Sequence, residues 1–282
     1  MRGGAAVMTA AGTDGTATES TSVLDRSLAM LDAVAQSQET LSLSELARRL
    51  GMPKSTAHRH VAQLVARGLL ERDDEGLRLG MALFELGHRV PAQRALREAA
   101  SGALTRLQAA AGGTAHLVVP ARADVLYLEK ISGVDAVGLP SRVGGRMPAH
   151  ATAVGKMLLA HLPPESVDAV LRGRLRRVTL RTTVAPGVLR RQLVAARERG
   201  IAVEREEAVA GVSCVAAAVR GETGAVVAAI SLARVSGSPD WEARAALLLR
   251  TAAAEISERL GAPPGSTPDM SGRPLLRPVG PA

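Results

Sequence analysis

The most regular pattern of apolar and polar positions in the chain lies between residues 42 and 79. Ser42 and Glu45 stand at the spacing of a capping box, and apolar residues follow at helical period until Gly51, which suits a helix end. Pro53 suits the first position of a second helix, in which apolar residues again recur at helical period. The stretch therefore predicts two short helices joined by a tight turn.

Two helices in this arrangement predict a helix-turn-helix, whose second helix enters the major groove of DNA. Serine and threonine hydroxyls and a lysine near a helix N-terminus suit phosphate contacts, and an arginine one turn further in suits a guanine edge. The predicted DNA-contacting residues are Ser44, Lys54, Ser55, Thr56, His58, Arg59 and Arg78. A capped helix pair is also common in protein packing, with its charges simply solvated, and both interpretations stay open at this point.

Two short strands are predicted after the second helix, at residues 69–72 and 77–79, around an acidic turn that contains Gly76. This hairpin suits the wing of a winged helix-turn-helix. A helical pattern over residues 22–36 precedes the pair. Residues 21–80 are therefore predicted to form a winged helix-turn-helix DNA-binding domain.

The length of 282 residues suits one small module followed by a larger domain. A helical pattern begins at Met81 and is interrupted by Pro91, so residues 81–92 are interpreted as a linker helix. Its apolar residues suit either a dimer contact or packing on the second domain. Residues 1–20 and 263–282, rich in small residues or in proline and glycine, are predicted to be disordered tails.

Beyond residue 93 the pattern alternates between helical and strand periods, which predicts an α+β domain over residues 93–262. Its sheet is expected to be mostly antiparallel, with about six strands. The predicted strands cover residues 114–119, 124–131, 137–143, 201–208, 212–220 and 225–233. The predicted helices cover residues 94–111, 149–160, 163–171, 188–199 and 241–260, and residues 144–148 are predicted to be a loop.

The net charge of +8 does not identify the DNA-binding module. Eight basic and eight acidic residues balance between residues 21 and 80, whereas residues 142–199 hold twelve basic residues and three acidic ones. The arginine-rich stretch at residues 172–181 is interpreted as a solvated loop that adds weak, non-specific attraction to DNA, with an RNA- or membrane-binding patch as the alternative. DNA recognition therefore depends on local residues of the helix pair.

Composition and motifs argue against several other classes of protein. Cys214 is the single cysteine, which excludes an internal disulfide and suits a reducing cytoplasm. The chain has no apolar run long enough to span a bilayer, so neither a membrane partner nor a location outside the cytoplasm is expected. It also lacks a Gly-x-Ser-x-Gly elbow, a P-loop, a dinucleotide glycine pattern and zinc-ligand spacing, so we expect no enzyme activity, metal or cofactor.

Three landmarks in order give the chain a resemblance to the IclR family of bacterial transcription regulators, covering roughly residues 23–260. They are residues 43–47 with 53–56 and Arg59; residues 142–148 with 150–160; and Gly200 with residues 206–207 and 211–217. The resemblance implies a winged helix-turn-helix, a linker helix and a C-terminal GAF-like effector domain. It also implies a homodimer or dimer of dimers on a double-stranded DNA operator, and a small organic acid or aromatic metabolite as effector.

The effector is expected where the loop at residues 145–148 runs into the next helix, because helix N-termini favour anions. The candidate effector-binding residues are Gly145, Arg146, Met147, Pro148, Ala151, Thr152, Ser213 and Cys214. Thr152 serves equally well as a helix cap, and Cys214 as a small buried apolar residue.

Together these features predict a sequence-specific transcriptional regulator, by base rate a repressor, whose operator affinity changes with a small-molecule effector. The alternative is a metabolite-binding or metabolic protein whose N-terminal helices serve association only.

Overall fold

The computed structural model describes residues 22–37, 40–134, 136–236 and 239–264. The chain divides into two compact units, with the boundary between Arg89 and Val90. The predicted N-terminal tail lies outside the described residues, as does the predicted C-terminal tail from residue 265 onward.

The first unit is a three-helix module with a two-stranded wing and one further helix. Its elements are α1 (Val23–Gln36), α2 (Leu43–Arg49), α3 (Lys54–Ala66), β1 (Leu70–Arg72), β2 (Leu77–Leu79) and α4 (Met81–His88). The wing strands are antiparallel, with Leu70 opposite Leu79. The predicted winged helix-turn-helix is therefore confirmed.

Local sequence explains where these helices begin. Ser22 and Asp25 form a full capping box at the start of α1. Ser42 caps α2 by accepting a hydrogen bond from the amide of Glu45 at 3.1 Å. Gly51, at φ +60°, supplies the left-handed turn between α2 and α3.

One apolar core holds the first unit together. It is built from the buried faces of all three helices and of both wing strands, through Met30, Leu46, Ala57, Val61, Leu64, Leu70 and Leu77. Because these side chains take the inner face of α3, the polar residues of that helix are left on the outer face.

The second unit is a six-stranded antiparallel sheet with helices on both faces. Its elements are α5 (Pro91–Ala111), β3 (Thr114–Ala121), β4 (Asp124–Ser132), β5 (Arg146–Pro148), a 3-10 turn (Ala149–Ala151), α6 (Ala153–Leu159), α7 (Pro164–Arg172), α8 (Pro186–Arg199), β6 (Ala202–Arg205), β7 (Val212–Arg220), β8 (Val226–Val235) and α9 (Pro239–Arg259). The strand order is β5-β4-β3-β8-β7-β6. The predicted α+β class and strand number are confirmed.

Alternation along the strands sends side chains to two separate cores. Along β7, Val215 and Ala217 enter the core that α5 and α9 cover, whereas Ala216 enters the core that α6, α7 and α8 cover. Among the described helices, none is both long and apolar enough to cross a membrane.

Three predicted elements differ from the structure. The strand predicted at residues 137–143 is irregular, because Gly138 and Pro140 do not sustain a ladder. The predicted loop at residues 144–148 contains the edge strand β5 instead. The helix predicted over residues 81–92 ends at His88, and Pro91 occupies the first position of α5, where its missing N–H costs nothing.

Candidate functional site

The outer face of α3 carries most of the predicted DNA-contacting residues. Lys54, Ser55, His58 and Arg59 are exposed and Thr56 is half-buried. Ser44 is exposed on α2. These six residues therefore lie at the surface of the helix pair, with Lys54 and Arg59 in the N-terminal half of α3.

The cations near the turn divide into paired and unpaired groups. Arg48 donates to Glu45 at 2.7 and 2.9 Å, and Arg49 donates to the same carboxylate at 3.0 Å. These hydrogen bonds, those from Arg48 first, lower the pKa of Glu45 to about 2. Lys54 and Arg59 form no ion pair with any residue that the structure describes. Lys54 and Arg59 can therefore contact DNA without first breaking an ion pair.

Arg78, predicted to contact DNA from the wing, is paired with acids of its own hairpin. Its guanidinium donates to Asp73 and lies 3.9 Å from Glu75. This side chain can contact a DNA phosphate only if it first breaks its ion pairs with these carboxylates.

A small cavity lies in the second unit, on the sheet face that α6 covers. It is bordered by β4, β6, β7 and the irregular segment around Pro140, and its free volume is about 30 Å³. That volume holds about one or two water molecules. We call it the effector cavity, and its polar and sulfur-bearing lining residues are His116, Tyr127, Ser141, Met147, Thr152, Glu204 and Cys214.

The structure brings three of the eight predicted effector residues to this cavity, namely Met147, Thr152 and Cys214. Arg146 and Pro148 line a separate open groove beside His150. Gly145 and Ala151 line neither space.

Ser213 faces away from the effector cavity because it precedes Cys214 on β7, where successive side chains alternate. Its hydroxyl lies 2.9 Å from that of Ser236. The prediction that Ser213 and Cys214 line the same ligand site is therefore wrong.

Thr152 caps α6, which confirms the structural alternative for this residue. Its Oγ1 accepts a hydrogen bond from the Gly155 amide at 3.1 Å. The amide of Thr152 itself donates to the carbonyl of Ala149 at 3.4 Å. Two amides at this helix start, those of Thr152 and Gly155, therefore already have partners within the turn.

His116 is a cavity residue that sequence patterns did not indicate. Its Nε2 lies 2.9 Å from the Ser141 hydroxyl, and its Nδ1 lies 3.4 Å from the Ser231 hydroxyl. Burial, with a contribution from Lys130, lowers the pKa of His116 to about 3. The ring is therefore neutral near pH 7, and it meets the Tyr127 ring edge-on with centroids 5.1 Å apart.

Glu204 is the second cavity residue that sequence analysis missed. It lies opposite Cys214 in the β6–β7 ladder and accepts a hydrogen bond from the Glu207 amide at 2.8 Å. Burial raises the pKa of Glu204 to about 7 and also raises the pKa of the Cys214 thiol. A glutamate that shares the inward face of β6 with Ala202 is the signal that could have identified it.

An exposed recognition helix on a winged module, together with a separate domain that encloses a polar-lined cavity, defines a helix-turn-helix transcriptional regulator. The IclR helix-turn-helix domain model matches residues 23–74, and the model of the bacterial transcriptional regulator IclR C-terminal domain matches residues 88–258. The chain belongs to the IclR family of transcriptional regulators. The predicted family and the predicted DNA-binding regulatory function are thereby confirmed.

Curated relatives extend over most of the chain. The HTH-type transcriptional regulator XynR of Escherichia coli K12 is 35% identical over 220 residues, which cover 77% of this chain and 87% of the relative. The HTH-type transcriptional repressor AllR of Klebsiella pneumoniae is 30% identical over 246 residues, covering 86% and 90%.

Solved structures show the same architecture. An IclR homolog from Microbacterium hydrocarbonoxydans, complexed with 4-hydroxybenzoate, has a TM-score of 0.79 and 35% identity, covering 85% of this chain and 99% of that one. The IclR of Thermotoga maritima has a TM-score of 0.72 and 29% identity, covering 84% and 98%.

Proposed function

We propose that this regulator is a repressor that binds its operator through α3 and changes its operator affinity when a small organic acid or aromatic metabolite occupies the effector cavity. It acts without catalysis and in the cytoplasm. The observation that carries the proposal is the pair of exposed cations, Lys54 and Arg59, on the outer face of α3 without an acidic partner among the described residues. Free cations at this place suit phosphate and guanine contacts.

The names of the relatives support repression rather than activation, and regulation rather than catalysis. AllR of Klebsiella pneumoniae is named a repressor, and XynR and AllR are both named as transcriptional regulators or repressors rather than enzymes. In the effector cavity, the imidazole of His116 and the thiol of Cys214 are held neutral by burial. Neutral, buried groups suit ligand contacts better than nucleophilic attack.

The effector class is supported by a structural neighbour and by the cavity lining. The Microbacterium hydrocarbonoxydans homolog is described with 4-hydroxybenzoate. Tyr127, His116 and Ser141 offer ring edges and hydroxyl groups that suit a hydroxylated aromatic ring.

Entry of such a ligand requires the cavity to widen, because about 30 Å³ holds little more than water. The segment around Pro140 closes one side, and Lys130 holds it by donating to the Ser141 carbonyl at 2.7 Å and the Leu139 carbonyl at 3.4 Å. An effector thus selects a wider state, and it regulates DNA binding if the two states differ in operator affinity.

We propose a homodimer or dimer of dimers as the active form. Exposed apolar side chains on α4, with Met81 and Phe84 both 63% exposed, suit contact with a second copy. In a dimer, two α3 helices about 34 Å apart would engage successive major grooves.

Fluorescence anisotropy on the DNA that flanks the protein's own gene, against scrambled DNA, tests the proposal. We expect a specificity ratio of about a thousand or more at physiological salt. We also expect 4-hydroxybenzoate to weaken operator binding. Equal, steeply salt-dependent binding to both DNAs would contradict the proposal, because it would reflect charge alone.

A further inference from the structure

A third space in the C-terminal unit is separate from the effector cavity and from the groove beside His150. It is an open groove at the end of β7, between α8 and α9, and its volume is about 710 Å³. That volume lies within the usual range for small-molecule sites. Its apolar lining residues are Ala217 and Ala218 of β7 and Ala253 and Ala254 of α9. We call this space the arginine groove.

Three guanidinium groups border the arginine groove, from Arg197, Arg220 and Arg250, beside a single carboxylate from Glu258. The guanidinium of Arg220 donates to the Gly224 carbonyl at 2.9 Å, and that of Arg250 donates to the Arg199 carbonyl at 2.9 Å. Neither Arg220 nor Arg250 forms an ion pair with any acid in the described part of the chain. Since a guanidinium has five N–H donors, Arg220 and Arg250 both keep donors for a ligand.

The cations of the groove act unfavourably on one another. Arg220 is half-buried, and burial followed by the charge of Arg197 lowers its pKa. His161, at the same groove, has its pKa lowered by burial first, with smaller effects of Arg220 and Arg197, against a hydrogen bond that favours the charged ring. Its Nδ1 donates to the Met157 carbonyl at 2.9 Å. A negative charge in the groove would relieve this repulsion.

We propose that the arginine groove is a binding site for a small oxyanion with at least two negative charges, either a phosphate group or a polycarboxylate. Guanidinium groups suit both chemistries because they form paired hydrogen bonds to two oxygens. The groove has volume for a small ligand, and its alanine lining suits an apolar part beside the charged end. The site is separate from the effector cavity, and its existence does not depend on the proposed regulatory function.

Isothermal titration calorimetry of the full chain in chloride buffer tests this site, with inorganic phosphate and citrate as titrants and acetate as the singly charged control. We expect phosphate or citrate to bind with one site per chain and to bind more tightly than acetate. The tighter of the two identifies the chemistry of the natural ligand. Arg220→Gln and Arg250→Gln should each weaken binding by about tenfold.

Arg244→Gln is the matched control, because Arg244 is an exposed arginine of α9 outside the groove. It should leave anion affinity unchanged. An equal loss in Arg244→Gln, or no binding of phosphate and citrate by the wild type, would overturn the proposal. If Arg220→Gln does not fold by circular dichroism, the exposed Arg250→Gln decides the outcome.

Discussion

Lys156 of α6 and Glu207, in the turn that follows β6, form an ion pair inside the second unit, with side chains only 2% and 8% exposed. The second carboxylate oxygen of Glu207 accepts a hydrogen bond from the Thr183 amide at 2.9 Å. The backbone carbonyl of Glu207 accepts another from the Thr182 hydroxyl at 2.8 Å. One carboxylate residue therefore joins three chain segments close to Glu204 of the effector cavity.

Loss of one partner of this pair should be costly. In Lys156→Met the Glu207 carboxylate keeps its burial but loses its counter-charge, so we expect the free energy of unfolding to fall by about 3–5 kcal/mol. Urea unfolding followed by circular dichroism measures this change.

The control is Arg106→Met, which removes an exposed ion pair. Arg106 lies 2.6 Å from Glu255, and the two side chains are 60% and 33% exposed. Its loss should cost at most about 1 kcal/mol. Equal losses in the two variants would show that burial does not set the strength of the Lys156 pair.

Glu204 should give the protein a measurable dependence of stability on pH. The carboxyl has an ordinary pKa of 4.5 when unfolded and a raised pKa of about 7 when folded. Between these values the folded state binds one more proton, so the free energy of unfolding falls as pH rises.

Glu204→Gln removes the contribution of Glu204 to the pH dependence of stability. Other titrating groups, His116 among them, contribute equally in the variant and in the wild type. The unfolding free energy of the variant relative to the wild type should therefore rise by about 3 kcal/mol between pH 4.5 and pH 7. Urea titrations at several pH values measure the difference. Parallel pH profiles would contradict the raised pKa, because they would mean that Glu204 has the same pKa in the folded and unfolded states.

Gly155 in α6 should not tolerate a side chain. A Cβ at this position would lie 2.1 Å from the Ala149 carbonyl oxygen, which belongs to the backbone and has no freedom to turn away. Gly155→Ala should destabilise the fold by about 1–3 kcal/mol or more, as measured by thermal unfolding.

Gly102 in α5 provides the opposite case. Its added Cβ would meet only the Arg106 side chain, at 3.5 Å. Gly102→Ala should stabilise the protein by about 0.5–1 kcal/mol, because alanine favours a helix interior. A similar loss of stability in both variants would contradict the conclusion that Gly155 has no space for a Cβ whereas Gly102 has.

The elements with strong local signals were predictable from sequence. The glycine turn at Gly51 and the cap at Ser42 set the helix pair without help from distant residues. The strand predicted at residues 137–143 was wrong, because Gly138 and Pro140 do not sustain a ladder and Lys130 of a neighbouring strand holds the backbone there instead. A contact of that kind leaves no periodic trace in the sequence.

The effector cavity was only partly predictable for the same reason. Met147, Thr152 and Cys214 were found near motif positions, whereas His116 and Glu204 come from strands far away in sequence. Strand alternation would have favoured Cys214 over Ser213. The ladder that sets Glu204 opposite Cys214 is a tertiary feature, which a single sequence does not reveal.

Arg59 and Arg67 offer a matched test of whether α3 reads DNA. Both are exposed arginines, but Arg59 lies in the N-terminal half of α3, whereas Arg67 caps its C-terminus. The measurement is the ratio of operator to scrambled-DNA affinity for Arg59→Ala and Arg67→Ala, by fluorescence anisotropy at physiological salt. Arg59→Ala should reduce operator preference by about 1–3 kcal/mol, and Arg67→Ala should leave it near the wild-type value. An unchanged ratio in Arg59→Ala would contradict sequence recognition through this face of α3.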